Sequence, residues 1–216
     1  LWILIMTEDY TKRKIIYYSL AIFFDDGINI TMENIAKDLG ISKKTLYKYF
    51  KNKADLLNSV IDEFINSISE LIENTLKSNP DSFVAICDFF SKFANTFAVK
   101  LNRKFFSDLQ KKEPEIWKKI NDFRIKKFNY YIPLILKEGI KNKYIRDDIN
   151  PDIILLMYIA SIQNILNPDV LSVSYFSAKE AVEQILTTLF YGICTEKGKK
   201  KFRLHFKKIK EEINEI

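Results

Sequence analysis

The residues with the clearest chemical potential lie together in a short basic segment between positions 42 and 53. The segment has no acidic residue and carries a local charge of +5, from Lys43, Lys44, Lys48, Lys51 and Lys53. Thr45 and Tyr47 stand among these lysines and add hydroxyl groups. Ammonium and hydroxyl groups donate hydrogen bonds to phosphate oxygens and to base edges. The segment therefore predicts a surface that binds a polyanion.

Two short predicted helices joined by a tight turn position these side chains. Thr31 is the expected N-cap of a helix over 32–39, Gly40 ends that helix, and Ser42 is the expected N-cap of a second helix over 43–50. Six apolar residues have the spacing that packs three short helices together: Ile35, Leu39, Ile41, Leu46, Phe50 and Leu57. This pattern is typical of a helix-turn-helix, whose second helix places its N-terminal residues in the major groove of DNA.

A long helix follows the pair directly. Asn52 is its expected N-cap, with Asp55 in the place of the glutamate of a capping box, and the helix runs over 53–78 until Asn79-Pro80 interrupts it. Helix N-termini bind phosphate through their free N–H groups, so the helix ends at Thr31 and Lys53 are further candidates for phosphate contacts.

Helical periodicity continues through the rest of the chain. A first helix is expected from Thr7, as its N-cap, to Asp26-Gly27, and later helices are expected over 83–100, 103–111, 114–138, 151–167, 178–195 and 199–216. Five glycines and five prolines are too few for the turns of a sheet protein or for Gly-rich phosphate loops. The sequence predicts an all-α fold with a helix-turn-helix domain over 7–57 and a helical bundle over 58–216.

The scarcity of reactive residue types excludes several functions. The chain has one histidine, His205, and two cysteines, Cys87 and Cys194. A histidine-based metal site and a disulfide scaffold require more of these residues, and the only imidazole available to a catalytic triad lies in a lysine-rich tail. We therefore expect no catalytic residues, no metal site and no cofactor, and the chain is predicted not to be an enzyme.

The segment from Thr11 to Leu57 resembles the TetR family of bacterial transcriptional regulators. Residues 31–57 fit the pattern T-x-x-x-I-A-x-x-L-G-I-S-x-x-T-L-Y-x-Y-F-x-x-K-x-x-L-L, and residues 21–27 fit A-x-x-F-x-x-G of that family's first helix. Residues 113–124 and 136–152 are weakly similar to the family's seventh helix and to the loop that leads into its eighth.

The resemblance implies that the first domain binds double-stranded operator DNA of palindromic sequence. Thr31 and Lys53 are expected to contact phosphates, and Tyr47 and Tyr49 the DNA backbone, although the ring of Tyr49 also suits the core. The lysines and the threonine at the start of the second short helix are expected to meet base edges and phosphates. The predicted DNA-binding residues are Thr31, Ser42, Lys43, Lys44, Thr45, Tyr47, Lys48, Tyr49 and Lys53.

The resemblance also implies that the C-terminal bundle forms a homodimer and binds a small-molecule effector. The helix over 151–167 is apolar on more than one face, which favours packing against a second copy, with the helix over 178–195 beside it. Candidate ligand-binding residues are eight aromatic side chains and one amide: Phe89, Phe93, Phe97, Phe105, Trp117, Phe123, Tyr130, Tyr131 and Gln163. Rings at helical spacing also fill a core, and Gln163 is also suited to pair with its own copy across a dimer axis.

These observations together predict a cytoplasmic homodimeric repressor, without a membrane partner, that a small hydrophobic or neutral ligand releases from its operator. Two alternatives stay open: a regulator of the same fold that responds to a protein partner or to no ligand, and a helical lipid-binding protein or enzyme. The net charge of +6 is a weak argument by itself, because residues 197–210 carry +8 without any acid. This basic tail is expected either to attract DNA nonspecifically or to form a solvated terminal helix.

Overall fold

The computed structural model describes residues 2–96 and 103–212, which form eleven α-helices. The helices are α1 Trp2–Asp26, α2 Met32–Asp38, α3 Lys43–Tyr49, α4 Lys53–Ser78, α5 Ser82–Thr96, α6 Arg103–Lys112, α7 Pro114–Lys141, α8 Pro151–Ile165, α9 Pro168–Val173, α10 Ala178–Ile193 and α11 Glu196–Glu212. The described residues contain no β-strand, and an isolated antiparallel bridge joins Ile145 to Cys194. The prediction of an all-α fold is confirmed.

The helices are grouped in two compact units. Unit 1 contains residues 2–67 and 103–120, and unit 2 contains residues 68–96 and 121–212, within the described ranges. The unit boundaries at 67/68 and 120/121 lie within helices α4 and α7, so each of these helices contributes residues to both units. The sequence-based boundary at 57/58 separates the predicted DNA-binding domain from the predicted helical bundle. The division into units does not test it, and it stays a prediction. None of the described helices has the length and apolar content needed to cross a bilayer.

The core of unit 1 lies between the first four helices and α6. Of the residues predicted to pack there, Ile35, Leu46, Phe50 and Leu57 are buried, whereas Leu39 and Ile41 are half-buried. An aromatic cluster extends this core, because Phe24 of α1 meets Phe64 of α4 and Phe105 of α6 edge to face, with ring centroids 5.5 and 4.8 Å apart.

Unit 2 has a core of its own, formed by α5, α8, α10 and α11. Phe83 and Leu186 are fully buried there. Phe190 of α10 stacks on Phe202 of α11 with their ring centroids 4.9 Å apart. Gly198 of α11 lies against the backbone of Tyr144, and an added Cβ would overlap the Tyr144 carbonyl. This close approach is the reason that the position holds glycine.

The structure corrects several predicted helix ends. The first helix begins at Trp2, so Thr7 lies within it and is not an N-cap, because no helix-breaking residue interrupts positions 2–6. Gly139 does not end α7, which continues to Lys141 with this glycine packed against Ile145. The short helix α9 escaped sequence analysis because it begins at Pro168, which reads as the end of the preceding helix.

Candidate nucleic-acid interface

Helix α2 is held in place by local features of its own sequence. Gly27, with φ of +80°, ends α1 in the left-handed conformation that glycine adopts without steric cost. The Thr31 hydroxyl caps α2 by accepting a hydrogen bond from the Asn34 N–H at 3.2 Å, and it donates to the Asn34 side-chain oxygen at 2.9 Å. The predicted caps and breaks of this helix are thereby confirmed.

Helix α3 begins just as its sequence predicts. Gly40 turns the chain with φ of +65°, and the Ser42 side chain accepts a hydrogen bond from the Thr45 N–H at 3.0 Å. The hydroxyl groups of Ser42 and Thr45 also hydrogen bond to each other at 2.7 Å. Both side chains of this pair therefore take part in the cap, and their oxygens lie at the start of the helix.

One residue of α3, Leu46, anchors the helix in the core, where it is completely buried. The side chains on the opposite face are exposed: Lys43, Lys44, Tyr47 and Lys48. An exposed tyrosine among lysines presents hydrogen-bond donors and a flat ring on one surface, which suits contacts with phosphates and bases. The structure therefore brings together the central part of the predicted DNA-binding set.

Lys43 is not a free cation in this structure. Its ammonium group forms an ion pair with the carboxylate of Glu33 on α2 and lies 5.8 Å from the centre of the Tyr47 ring. The hydrogen bond from Lys43 lowers the pKa of Glu33, and the same bond raises the pKa of Lys43. Both side chains are more than half exposed, so water and salt screen the pair and it is open to exchange with an external anion.

The C-terminal end of α3 combines two further cations with aromatic rings. Lys48 lies 5.6 Å from the centre of the Tyr49 ring, and Tyr49 is half-buried. Lys12 of α1 lies 5.8 Å from the centre of the Phe50 ring. The position of Lys12 extends the basic surface from α3 to α1.

Lys53 has a structural partner within unit 1. Its Nζ donates a hydrogen bond to the carbonyl oxygen of Ile28 at 2.7 Å and thereby ties the start of α4 to the turn before α2. An ammonium group has three donors, so two remain for a phosphate. The predicted phosphate contact of Lys53 stays a prediction, now with a competing role beside it.

The predicted cap of α4 forms with one difference. The Asn52 side chain accepts a hydrogen bond from the Asp55 N–H at 2.9 Å, as a capping box requires. The Asp55 carboxylate, however, accepts from the N–H of Lys51 at 2.9 Å and not from Asn52. The aspartate side chain thus accepts from the N–H of the residue before the cap, and not from that of the cap residue itself.

Sequence analysis missed two contributions to this surface. Glu33 escaped because charge was counted only along 42–53, whereas the carboxylate lies ten positions earlier and meets Lys43 in space. The run Lys12-Arg13-Lys14 on α1 also escaped, although all three residues are exposed. The concentration of three adjacent cations was the available signal, and only the fold shows that it neighbours α3.

The predicted ligand-binding residues do not form one group. Phe105 and Trp117 lie in unit 1, where both pack against Phe106, whereas the other described members lie in unit 2. Within unit 2, Phe89 contacts Phe93 at 5.9 Å and Tyr130 contacts Tyr131 at 4.9 Å, both between ring centroids. Gln163 and Tyr130 are exposed, Phe123 is half-buried, and Phe97 lies outside the described residues.

The basic tail is a helix, and part of its charge is paired. Lys201 donates hydrogen bonds to the Asp81 carboxylate at 2.6 Å and to the Tyr144 hydroxyl at 2.8 Å. His205 lies 3.1 Å from the Asp88 carboxylate, between Nδ1 and Oδ1. Asp81 directly precedes α5, Asp88 lies on α5, and Tyr144 lies in the segment after α7, so the first half of the tail packs within unit 2.

A capped helix-turn-helix with a basic, aromatic outer face defines the class of this molecule as a DNA-binding protein. The sequence model described as "Bacterial regulatory proteins, tetR family" matches residues 15–60. An uncharacterized HTH-type transcriptional regulator of Bacillus subtilis, YvaF, is 28% identical over 186 residues, which are 85% of this chain and 96% of that protein.

Two further similarities extend over most of the chain. The fatty acid metabolism regulator protein of Bacillus subtilis is 24% identical over 183 residues, which are 83% of this chain and 94% of that protein. The solved structure of a gamma-butyrolactone receptor, an ArpA-like protein, has the same fold, with a TM-score of 0.69 at 14% identity. That likeness covers 94% of this chain and 98% of the other.

Residues 15–60 thus match the DNA-binding segment of the TetR family, and most of the chain is similar to an HTH-type transcriptional regulator. Regulators of this family bind DNA operators, usually as dimers and with small-molecule effectors. The relatives named above are regulators or receptors and not enzymes, in agreement with the prediction from composition.

Proposed function

We propose that this protein is a homodimeric repressor that leaves a palindromic operator when a small, largely hydrophobic ligand binds to unit 2. The observation that carries the DNA-binding part is the exposed face of α3, which presents lysine and tyrosine side chains from a helix anchored by Leu46. The proposal keeps the predicted contact residues: Thr31, Ser42, Lys43, Lys44, Thr45, Tyr47, Lys48, Tyr49 and Lys53.

The first turn of α3 is the part we assign to base recognition. Lysine donates to the O6 and N7 acceptors of guanine in the major groove, and threonine contacts several bases. Lys43 must exchange the Glu33 carboxylate for DNA, which is favourable because the exposed ion pair is weak and the DNA backbone is densely charged. Lys48 and the tyrosines are assigned to the phosphate backbone.

A gel-shift titration against the DNA upstream of the protein's own gene tests this assignment. The triple variant Lys43→Ala, Lys44→Ala, Tyr47→Ala is expected to lose at least about 100-fold in operator affinity, since each base or phosphate contact contributes about 1–3 kcal/mol. A matched control removes two lysines and one tyrosine that are exposed on α7: Lys137→Ala, Lys141→Ala, Tyr130→Ala. Equal affinities of the two triple variants would overturn the assignment.

The dimer part of the proposal is supported by the apolar surface of α8. Ile153, Leu156 and Met157 are 55%, 65% and 50% exposed, and their spacing places them on one face of the helix. Helix α10 packs beside α8 in unit 2 and carries the exposed residues Gln184 and Thr188. Two such pairs of helices, one from each copy, form a four-helix interface that covers the apolar face.

Sedimentation at micromolar concentration tests the dimer. The wild type is expected to sediment as a dimer, and the variant Leu156→Glu, Met157→Glu as a monomer. The reason is that the desolvation cost of the two new carboxylates is expected to exceed the free energy gained on association. The control Leu204→Glu places a carboxylate at another exposed leucine, on α11. A monomeric wild type, or a dimeric double variant, contradicts the proposal.

The effector part rests on the relatives. One is a fatty acid metabolism regulator and one structural neighbour is a gamma-butyrolactone receptor, and both names refer to small molecules with apolar parts. Helix α4 starts beside α3 and also contributes to unit 2, so it is the element that we assign to coupling ligand and DNA. A ligand shifts the equilibrium only by its difference in affinity between the two states.

A thermal-shift screen with apolar compounds, followed by operator release in the gel shift, tests the effector. A compound that raises the melting temperature and weakens operator binding supports the proposal. Compounds that bind without any effect on the operator contradict it. Complete absence of binding favours the alternative regulator, which responds to a protein partner or to no ligand.

A further inference from the structure

The guanidinium group of Arg124, on α7 within unit 2, has an unusual environment. Three buried polar side-chain atoms have no hydrogen-bond partner in the described part of the chain. Two of them, Ser19 Oγ and Gln110 Oε1, belong to neutral side chains, whereas the third is Nε of Arg124. An unpaired donor on a charged group is the costliest of the three, because charged groups have the most hydration to lose. Arg124 as a whole is half-buried, and its Nε is the enclosed part.

The partners that Arg124 does have leave its charge uncompensated. Its Nη2 donates to the side-chain oxygen of Asn121 at 2.7 Å, which is a neutral acceptor one turn earlier in the same helix. None of the ion pairs found among the described residues includes Arg124. Burial lowers the pKa of Arg124, and the neighbouring Tyr158 acts in the opposite direction.

The neighbours of Tyr158 are apolar. Tyr158 projects from α8 and is only 5% exposed. Its ring lies 5.0 Å from that of Phe128 and 5.9 Å from that of Phe90, between centroids. Burial raises the pKa of Tyr158, so its hydroxyl is a neutral hydrogen-bond donor near Arg124. Arg124 is therefore a charged group close to a polar hydroxyl, that of Tyr158, and to the aromatic rings that surround Tyr158.

A half-buried guanidinium whose Nε is enclosed without an acceptor is unfavourable for folding by itself and indicates a partner that joins later. Guanidinium groups bind carboxylates through two parallel N–H bonds, and the unpaired Nε–H supplies one of them. A neutral ligand would leave the charge as it is, whereas an anionic ligand would compensate it. The apolar side chains around Tyr158 match a ligand whose remainder is hydrocarbon.

We propose that Arg124 binds the carboxylate of an apolar organic acid, with the Tyr158 hydroxyl as a second donor and the rings of Phe90 and Phe128 beside the hydrocarbon part. This inference rests on the proposed ligand response and specifies the chemical class of the effector. It departs from the expectation of a neutral ligand, since sequence patterning did not reveal that the Nε of Arg124 is enclosed without an acid.

Binding of dodecanoate and of its uncharged methyl ester, measured by isothermal titration calorimetry on the full chain, tests the proposal. The wild type is expected to bind the acid at least about tenfold more tightly than the ester, the effect of one charge-assisted hydrogen-bonded pair. Arg124→Met is expected to lose that preference, with the affinity for the ester unchanged. Arg124→Lys keeps the charge but not the paired geometry, and it is expected to retain only part of the preference.

The melting temperature of the ligand-free protein distinguishes binding from a purely structural role. Arg124→Met removes a half-buried charge that has no acidic partner among the described residues, so the variant is expected to melt at the same or a higher temperature than the wild type. The control Arg146→Met removes an exposed arginine that is paired with Asp148, and it is expected to leave the acid preference intact. A lower melting temperature of Arg124→Met together with an unchanged preference would overturn the proposal.

The two proposals fail in different ways. Equal binding of dodecanoate and its ester, or no binding of either, overturns the proposed role of Arg124. In that case, release of the operator by a different, neutral compound would still support the ligand-responsive repressor. Arg124-dependent binding of the acid without release of the operator supports the binding site and contradicts the repressor mechanism. A gel shift carried out in the presence of each probe separates these outcomes.

Discussion

The helix-turn-helix of unit 1 and the bundle of unit 2 satisfy their polar groups in different ways. In the first, each cap uses a partner three positions away, as Thr31, Ser42 and Asn52 do. The second has caps of this kind too, such as Ser177, and adds contacts between distant segments, such as Asp81 with Lys201, which are 120 positions apart. Local contacts form as soon as the helix forms, whereas distant ones require the whole bundle to assemble.

This difference has a functional meaning. The helix-turn-helix keeps its cations on the surface, where the Lys43–Glu33 pair is exposed and exchangeable. Unit 2 instead has a half-buried cation, Arg124, whose enclosed Nε lacks a partner among the described residues. The two proposals assign the exposed charges to a large external polyanion and the charge of Arg124 to a small ligand.

The largest expected effect comes from a tertiary constraint in unit 2. Gly198→Ala places a methyl group against the Tyr144 carbonyl, and because backbone must move, the free energy of unfolding is expected to fall by about 3 kcal/mol. At Gly40 in unit 1 an added methyl group has no neighbouring atom within 4 Å. Gly40→Ala is therefore expected to lower the free energy of unfolding by only about 1 kcal/mol, the cost of an alanine at φ of +65°. Chemical denaturation measures both. A Gly40→Ala variant that is the less stable of the two contradicts this ranking.

Two helix caps of equal geometry separate stability from function. Ser42→Ala and Ser177→Ala each remove a hydroxyl that accepts the N–H three residues on, and each is expected to cost about 1 kcal/mol of stability. Only Ser42→Ala is expected to weaken operator binding, because α3 carries the proposed DNA contacts. Denaturation curves and gel shifts on both variants check this. Equal losses of operator affinity would show that the effect is general instability.

The exposed ion pair of the helix-turn-helix predicts a gain of function. Glu33→Gln frees Lys43 and is expected to raise operator affinity about three-fold at low salt, with the stability unchanged, since solvent and salt screen exposed pairs. Asp38→Asn removes a neighbouring exposed charge from the same helix as a control. Fluorescence anisotropy with labelled operator DNA measures the change. A larger gain for Asp38→Asn would assign the effect to net charge alone.

The smallest expected effect is a pH dependence of unit 2. Burial alone would raise the pKa of Asp81, but hydrogen bonds from Lys201 and from the Val84 N–H hold it below its usual value. A lowered folded-state pKa adds stability above the unfolded pKa, and this contribution is lost as pH falls through the folded value, below about pH 4. The same pair raises the pKa of Lys201, so that contribution is lost as pH rises above about 10.5.

Asp81→Asn tests this dependence by thermal melts between pH 3 and pH 7. The variant is expected to be about 0.5 kcal/mol less stable than the wild type at pH 7, and this difference is expected to shrink toward pH 3, because the wild-type carboxylate takes up a proton as pH falls through its lowered pKa. A difference that stays constant over this range would assign the effect to packing and not to the charge of Asp81.

Prediction from sequence was most successful where contacts are short in sequence. The caps at Thr31 and Ser42 and the burial of Leu46 were all anticipated, because residue type and helical spacing decide them. Prediction was weakest for the ligand-binding set. Phe105 and Trp117 pack in unit 1, apart from the members in unit 2, and periodicity alone does not tell which helices share a core.

The sequence by itself determined that this chain is all-helical, that residues 31–57 form a helix-turn-helix, and that α3 carries a basic face. Only the tertiary structure decided that Glu33 pairs with Lys43, that Lys53 holds the Ile28 carbonyl, and that the Nε of Arg124 is enclosed without an acceptor. The physical reason is the distance along the chain over which these interactions act. Capping and amphipathic spacing act within one or two turns, whereas desolvation and ion pairing depend on which distant segments meet.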